Sequence, residues 1–209
     1  MNNILDSAIA LIAGPRCGSS SMINYFVKVH DYKFEYCTVP TNKPKTIYLL
    51  RDVANFNQFN SVSQQIVNDW MNKFIKLAKN DNIYTIALIR NPIEQLLSIY
   101  HKAIENGGTF ERIRIPLSSS ISQLVLNRRY EGIIHESQKE CDVILDLCEI
   151  SPKIISQKLN LNANFIKKTE ISGNRGRNFF KQHNLISKSN YDKLEQSKTM
   201  ELYQNLTKQ

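Results

Sequence analysis

Apolar residues follow two alternating rhythms along this chain. Ala8 to Ala13 is an unbroken apolar run of strand length that stops at Gly14-Pro15, the pattern of a strand buried on both faces of a parallel sheet. Ser19 to Ser21 then offer capping hydroxyls, and Met22, Ile23, Tyr25, Phe26 and Val29 recur on about one helical face before His30 and Asp31. Thr46 to Leu50 predicts a second strand after the turn region of Pro40 to Pro44, and Gln64 to Lys79 an amphipathic helix. Ile83 to Ile89 is the next strand. Asn91-Pro92 stops it and puts proline where a first helical turn tolerates it, ahead of a helix over Ile93 to Ile104 that Gly107-Gly108 ends. Thr109 to Ser120 lacks a clean period and reads as loop, Ile121 to Glu140 as mostly helical, and Cys141 to Ile150 as strand. A short helix runs from Ser151-Pro152 to Leu159, a polar loop covers Ser172 to Arg177, and Asn190 to Leu206 is a terminal helix. Strands alternating with helices predict an α/β fold, a parallel sheet flanked by helices on both faces, with ligands at the carboxyl ends of the strands.

Length and composition narrow the class. The 209 residues suit a single domain over 1–209, and 42% apolar with 22% charged residues is a globular balance without repeats or low-complexity linkers. No apolar run approaches the roughly 20 residues of a membrane span. Asp6 before the first apolar run and Arg16 after it do not match a signal peptide, so cytoplasmic residence is expected, and a start at the first core strand points to a bacterial or viral enzyme. Cys17, Cys37, Cys141 and Cys148 form no CxxC pair and no His grouping, which excludes zinc-ligand spacing and leaves reduced thiols. A net charge of +8 favours a polyanionic partner. The lysines are scattered, without an aromatic-interleaved basic stripe, which argues against nucleic acid.

The candidate chemistry begins at Gly14-Pro15-Arg16-Cys17-Gly18-Ser19-Ser20-Ser21. A loop that leaves a buried strand and enters a helix presents backbone N–H groups to an anion, because first-turn amides lack intrahelical acceptors and the dipole adds positive potential. Gly14 and Gly18 permit close approach, Arg16 adds a forked cation, and the serines add neutral donors. The expected architecture is therefore P-loop-like. No Gly-Lys-Ser/Thr ends the loop, however, so the lysine and magnesium-binding hydroxyl of a nucleotide triphosphatase are not positioned. A second segment, Ile86 to Tyr100, places Arg90 at a strand end and Ser98 two turns into the next helix, where both can grip one phosphate. Alone, Arg90 reads equally as a surface ion-pair residue and Ser98 as a helix hydroxyl.

Together the two segments resemble the sulfotransferase family. Pro15-Arg16-Cys17-Gly18-Ser19-Ser20 is similar to that family's 5′-phosphosulfate loop, and Arg90-Asn91-Pro92 through Ser98 to its 3′-phosphate motif. Glu94, Leu97, Ser98 and Tyr100 follow the carbohydrate sulfotransferase style, with Gln95 where a second arginine is common. Asp142 to Ile150 resembles the family's later strand, and Ser172-Gly173-Asn174-Arg175-Gly176-Arg177 its late basic glycine loop. The resemblance implies 3′-phosphoadenosine 5′-phosphosulfate (PAPS) as donor, no metal, and an acceptor hydroxyl or amine, with glycan a candidate. It assigns the donor's 5′ end to Gly14 through Ser21, and its 3′-phosphate to Arg90 and Ser98 with Arg175 and Gly176 closing over it. Arg16 then stabilises charge on the leaving oxygen.

The general base stays open between three residues. Glu35 stands after the first helix, about where some glycan sulfotransferases carry a catalytic Glu, flanked by Phe34 and Tyr36 as neighbours able to raise its pKa. Arg51 and Asp52 follow the second strand, Arg51 as a contact for the sulfonyl group and Asp52 as reserve base; His30 is the third candidate. Two other classes compete: a P-loop small-molecule kinase, and a non-catalytic nucleotide- or polyanion-binding member of the same fold. Oligomeric state is not legible.

Overall fold

The computed structural model describes residues 4–14, 16–37, 39–50, 61–105, 109–110, 113–114, 136–147, 152–159 and 188–208. Its centre is a five-stranded, wholly parallel sheet built from β1 (Ile9–Ala13), β2 (Lys33–Cys37), β3 (Thr46–Leu50), β4 (Tyr84–Ile89) and, after a small hairpin, β7 (Val143–Asp146), in the order β2-β3-β1-β4-β7. Every residue of β1 and β3 is buried, as their continuous apolar sequences require. Period-two alternation then divides the side chains between two cores. Ile9, Leu11, Ile47, Leu49, Ile86, Leu88 and Leu145 face α1 (Ser19–His30) and α4 (Pro152–Leu159). Ala8, Ala10, Ile12, Tyr48 and Leu50 face α2 (Ser61–Asn80) through Met71, Phe74, Ile75 and Ala78. On that second side Ile89 also packs with α3 (Pro92–Glu105), α5 (Lys188–Glu195) and α6 (Lys198–Thr207). Each fully buried Leu, Ile or Phe here contributes about 1.5–3 kcal/mol of transfer free energy.

The chain leaves β1 toward β2 and β3 on one side, then crosses to β4 and β7 on the other. The carboxyl end of β1 therefore lies where the two halves of the sheet diverge, the place where open α/β sheets bind ligands. Asp142 fixes the last strand against β4: its Oδ2 accepts from the Thr85 amide and hydroxyl, each at 2.7 Å, and its own amide donates to Thr85 Oγ1 at 2.9 Å.

Five points differ from the sequence reading. β2 is a strand where the sequence suggested only the stretch after a helix; it is the sheet's edge, and its Lys33 and Tyr36 are exposed. Val29, expected on the core face of α1, is 36% exposed. Where the sequence read as loop, the described residues carry a two-strand antiparallel pair, β5 (Thr109–Phe110) and β6 (Ile113–Arg114). The terminal helix is two helices, because Ser197 starts a new one: its Oγ accepts from the Met200 amide at 3.2 Å and donates to the Leu194 carbonyl at 2.6 Å. Of the expected helix over Ile121 to Glu140, the described part is a 3-10 turn, Glu136–Glu140.

Candidate active site

Gly18 opens α1 from a left-handed conformation, φ 83, and supplies no side-chain cap. No N-cap side chain therefore competes for the first-turn amides of Ser19 to Ser21, which suits them to an external anion. A Cβ at Gly18 would sit 2.7 Å from Leu147 Cδ1, so the residue after β7 packs directly against this turn. Arg16 is also left-handed, φ 62, a conformation that non-glycine residues adopt at a cost and that clusters at functional sites. Its side chain is exposed, and its Nε donates to Ser98 Oγ at 3.0 Å.

Arg90 reaches the same loop from below. It is 4% exposed, and its Nη1 donates to the Arg16 carbonyl at 3.2 Å. Its Nε lies 3.8 Å from Glu94 Oε2, with both side chains almost fully buried. The α3 sequence explains this arrangement. Asn91 Oδ1 accepts from the amides of Ile93 at 3.0 Å and Glu94 at 3.4 Å, which caps the helix with Pro92 in its first turn. Ile93, Leu96, Leu97 and Tyr100 then fill the core, while Glu94 and Ser98, one turn apart, share the face turned to the loop.

Cys17 stands between Arg16 and Gly18, and its thiol is buried. Burial pushes its pKa up to about 12, opposed by the nearby Arg90 guanidinium and reinforced by the Asp146 carboxylate. Between pH 9 and 12 the unfolded thiol gives up its proton before the folded one, so the stability this group contributes is complete below about pH 9 and is lost as pH rises toward 12. At pH 8 the native Cys17 thiol should resist iodoacetamide until denaturant is added, as peptide mass spectrometry would show; rapid native labelling would contradict its burial. Asp146 also accepts from Tyr203 Oη at 2.5 Å, which ties α6 to the end of β7. One residue beyond Arg90, Asn91 borders a cleft of about 420 Å³ lined also by Ile93, Tyr191, Met200, Tyr203 and Gln204.

The loop residues Gly14, Arg16, Cys17, Gly18, Ser19, Ser20 and Ser21 thus come together with Arg90 and Ser98 at one end of the sheet. Glu35 lies elsewhere. It pairs in register with Tyr48 on β3, which pairs with Ala10, so it sits two strands out from β1 and level with that strand's amino-terminal half, away from the loop. Alternation sends it to the face opposite Phe34 and Tyr36, whose rings contact each other at 4.7 Å, and Lys43 Nζ lies 3.6 Å from its carboxylate. His30 ends α1, a helix of 12 residues and so about 18 Å from the loop. Its ring packs edge-on against Tyr25, and burial with the Lys45 charge pushes its pKa down. Pro15, Arg51, Asp52, Arg175 and Gly176 lie outside the described residues. Two contacts had no signal in the sequence, Leu147 against Gly18 and Tyr203 against Asp146, since each joins residues far apart in the chain.

A parallel α/β sheet with an arginine-bearing strand-to-helix loop at its divergence point is an arrangement in which phosphate or sulfate groups are commonly held. The model of the sulfotransferase family matches residues 9–201, and the chain belongs to that family. A search of curated proteins and one of solved structures gave no significant match. No described helix is long and apolar enough to cross a membrane.

Proposed function

We propose that the protein transfers a sulfonate group from PAPS to a hydroxyl or amine of an acceptor, with a glycan as the favoured acceptor class. PAPS supplies the activated sulfonate and departs as adenosine 3′,5′-bisphosphate. The observation that carries the reading is the 3.0 Å hydrogen bond from Arg16 Nε to Ser98 Oγ, because it joins the two segments that resemble the family's 5′ and 3′ motifs across 82 residues of chain. In this reading the amides of Gly14 through Ser21 hold the donor's 5′ end, and the Arg16 guanidinium stabilises charge developing on the leaving oxygen. Ser98 and Arg90 serve the 3′-phosphate, with Arg175 and Gly176 as the closing residues.

Proton removal from the acceptor falls to Asp52 or Glu35, with Arg51 on the sulfonyl oxygens. Sequence order and register favour Asp52 of the two. Arg51 and Asp52 follow Leu50 directly, at the carboxyl end of a strand adjacent to β1, whereas Glu35 is mid-strand beside Lys43. The cleft next to Asn91 supports a hydroxyl-rich acceptor, since phenols, amides and the Glu195 carboxylate line it. Such groups exchange hydrogen bonds with sugar hydroxyls.

Calorimetric titration tests the donor assignment. Adenosine 3′,5′-bisphosphate should bind with an affinity that magnesium leaves unchanged, and ATP more weakly. A preference for ATP that depends on magnesium would replace the reading with phosphoryl transfer.

A further inference from the structure

We propose that Glu94 is a positioning residue of the donor loop, acting through Arg90 on the main chain of Arg16. Its effect on donor affinity rests on the sulfotransferase reading above, whereas the clamp itself is a property of the unliganded protein. Arg16 is the loop's disfavoured residue, left-handed at φ 62 without being glycine. It is restrained at both ends: its side chain donates to Ser98 Oγ at 3.0 Å, and its carbonyl accepts from Arg90 Nη1 at 3.2 Å. Both restraints originate on α3 or on the two residues that lead into it. Ser98 holds the side chain directly. Glu94, one turn earlier on the same helical face, holds Arg90.

The charge balance explains why Glu94 matters. Arg90 and Glu94 have side chains only 4% and 5% exposed, so removing the carboxylate would leave a buried guanidinium without its counter-charge. Their closest approach, Nε to Oε2, is 3.8 Å, beyond hydrogen-bond reach, and Arg90 Nε has no hydrogen-bond partner among the described residues. The guanidinium is therefore centred by charge and aimed by its bond to the Arg16 carbonyl. If Arg90 turns away to regain solvent or another partner, the loop loses the bond that supports its disfavoured residue. Glu94 itself is fixed by the Asn91 cap on its amide.

Hydrogen exchange of the unliganded protein, read by mass spectrometry, tests this without reference to catalysis. Glu94→Gln preserves shape and removes the charge; the Met22 amide, which donates to the Gly18 carbonyl at 3.1 Å, and the amides of the α1 turn after it should exchange about tenfold faster, while those of β1 and α2 keep wild-type rates. Arg90→Lys, which keeps the charge but loses the fork, should do the same. If Glu94→Gln fails to fold, Glu94→Asp is measured instead, with a smaller loop-confined increase expected. Affinity for adenosine 3′,5′-bisphosphate should fall by about tenfold in the Gln variant. Unchanged loop exchange overturns the proposal, and so does a uniform increase across the sheet, which would make the pair merely structural. Should the wild-type protein fail to bind the bisphosphate, the donor reading falls while loop exchange still decides the clamp.

Discussion

Arg16→Ala should lower sulfonate transfer from PAPS by roughly 100-fold or more while moving the melting temperature little. The first expectation follows from the role proposed for the guanidinium. A charged donor aimed at oxygen where negative charge develops is worth about 3 kcal/mol in the transition state, and two to three orders of magnitude in rate. The second follows from exposure: the Arg16 side chain is at the surface, and surface substitutions usually change stability by less than about 0.5 kcal/mol. Alanine keeps the backbone carbonyl, so the bond from Arg90 Nη1 survives and the loop keeps that support. Ser98→Ala should be milder, since a neutral hydroxyl contributes about 1 kcal/mol, or roughly fivefold. Transfer of labelled sulfonate to a glycan and alcohol panel measures both variants. A wild-type rate for Arg16→Ala would remove the loop arginine from the chemistry and with it the assignment of the leaving oxygen.

What the sequence made legible follows from burial. β1, β3 and β4 lie inside a parallel sheet, so both faces demand apolar residues and each strand is mostly an apolar run with a polar or proline-bearing boundary, the buried Thr85 of β4 being satisfied by Asp142. β2 escapes that rule because it is an edge. Lys33-Phe34-Glu35-Tyr36-Cys37 mixes exposed and half-buried positions, and among the described residues the only strand beside it is β3. The break between α5 and α6 is equally faint, since no glycine or proline marks it and a single serine hydroxyl provides the cap.

The site divides in the same way. Its strand-loop-helix turn was legible because a buried strand, two glycines and three serines stand in succession. The pairing of that loop with Ser98 followed from the motif resemblance. The buried state of Arg90 was not legible. A strand-end arginine looks alike in sequence whether it faces water or lies beneath a loop, and here the deciding partners are Glu94 and a carbonyl 74 residues away. Glu35 shows the reverse failure. Its aromatic neighbours in sequence are on the opposite face of its strand, so adjacency in the chain carries no information about its surroundings.

Gly18→Ala should cost more than any other single-methyl change in the loop, because two independent penalties meet there. The first is conformational. At φ 83 the residue is in left-handed space, where a Cβ raises the energy by roughly 1 kcal/mol or somewhat more. The second is steric: the new methyl would sit 2.7 Å from Leu147 Cδ1, 3.6 Å from Cδ2 and 3.7 Å from Cγ. Leu147 is 8% exposed and closes β7, yet the clash is with the end of a rotatable side chain, so the packing cost belongs at the low end of the roughly 1–3 kcal/mol seen for overpacking. A total near 2 kcal/mol lowers the melting temperature of a domain this size by about 4–8 °C. Relief of either strain displaces the N-terminus of α1, so binding of adenosine 3′,5′-bisphosphate should weaken by at least about tenfold. Gly18→Asn separates the two penalties, since asparagine tolerates left-handed backbone but carries the same Cβ. If conformation dominates, Asn recovers about half the loss; if the Leu147 contact dominates, Asn melts no higher than Ala. Wild-type melting and wild-type bisphosphate affinity in Gly18→Ala would show that neither the left-handed turn nor its packing against Leu147 shapes the donor loop.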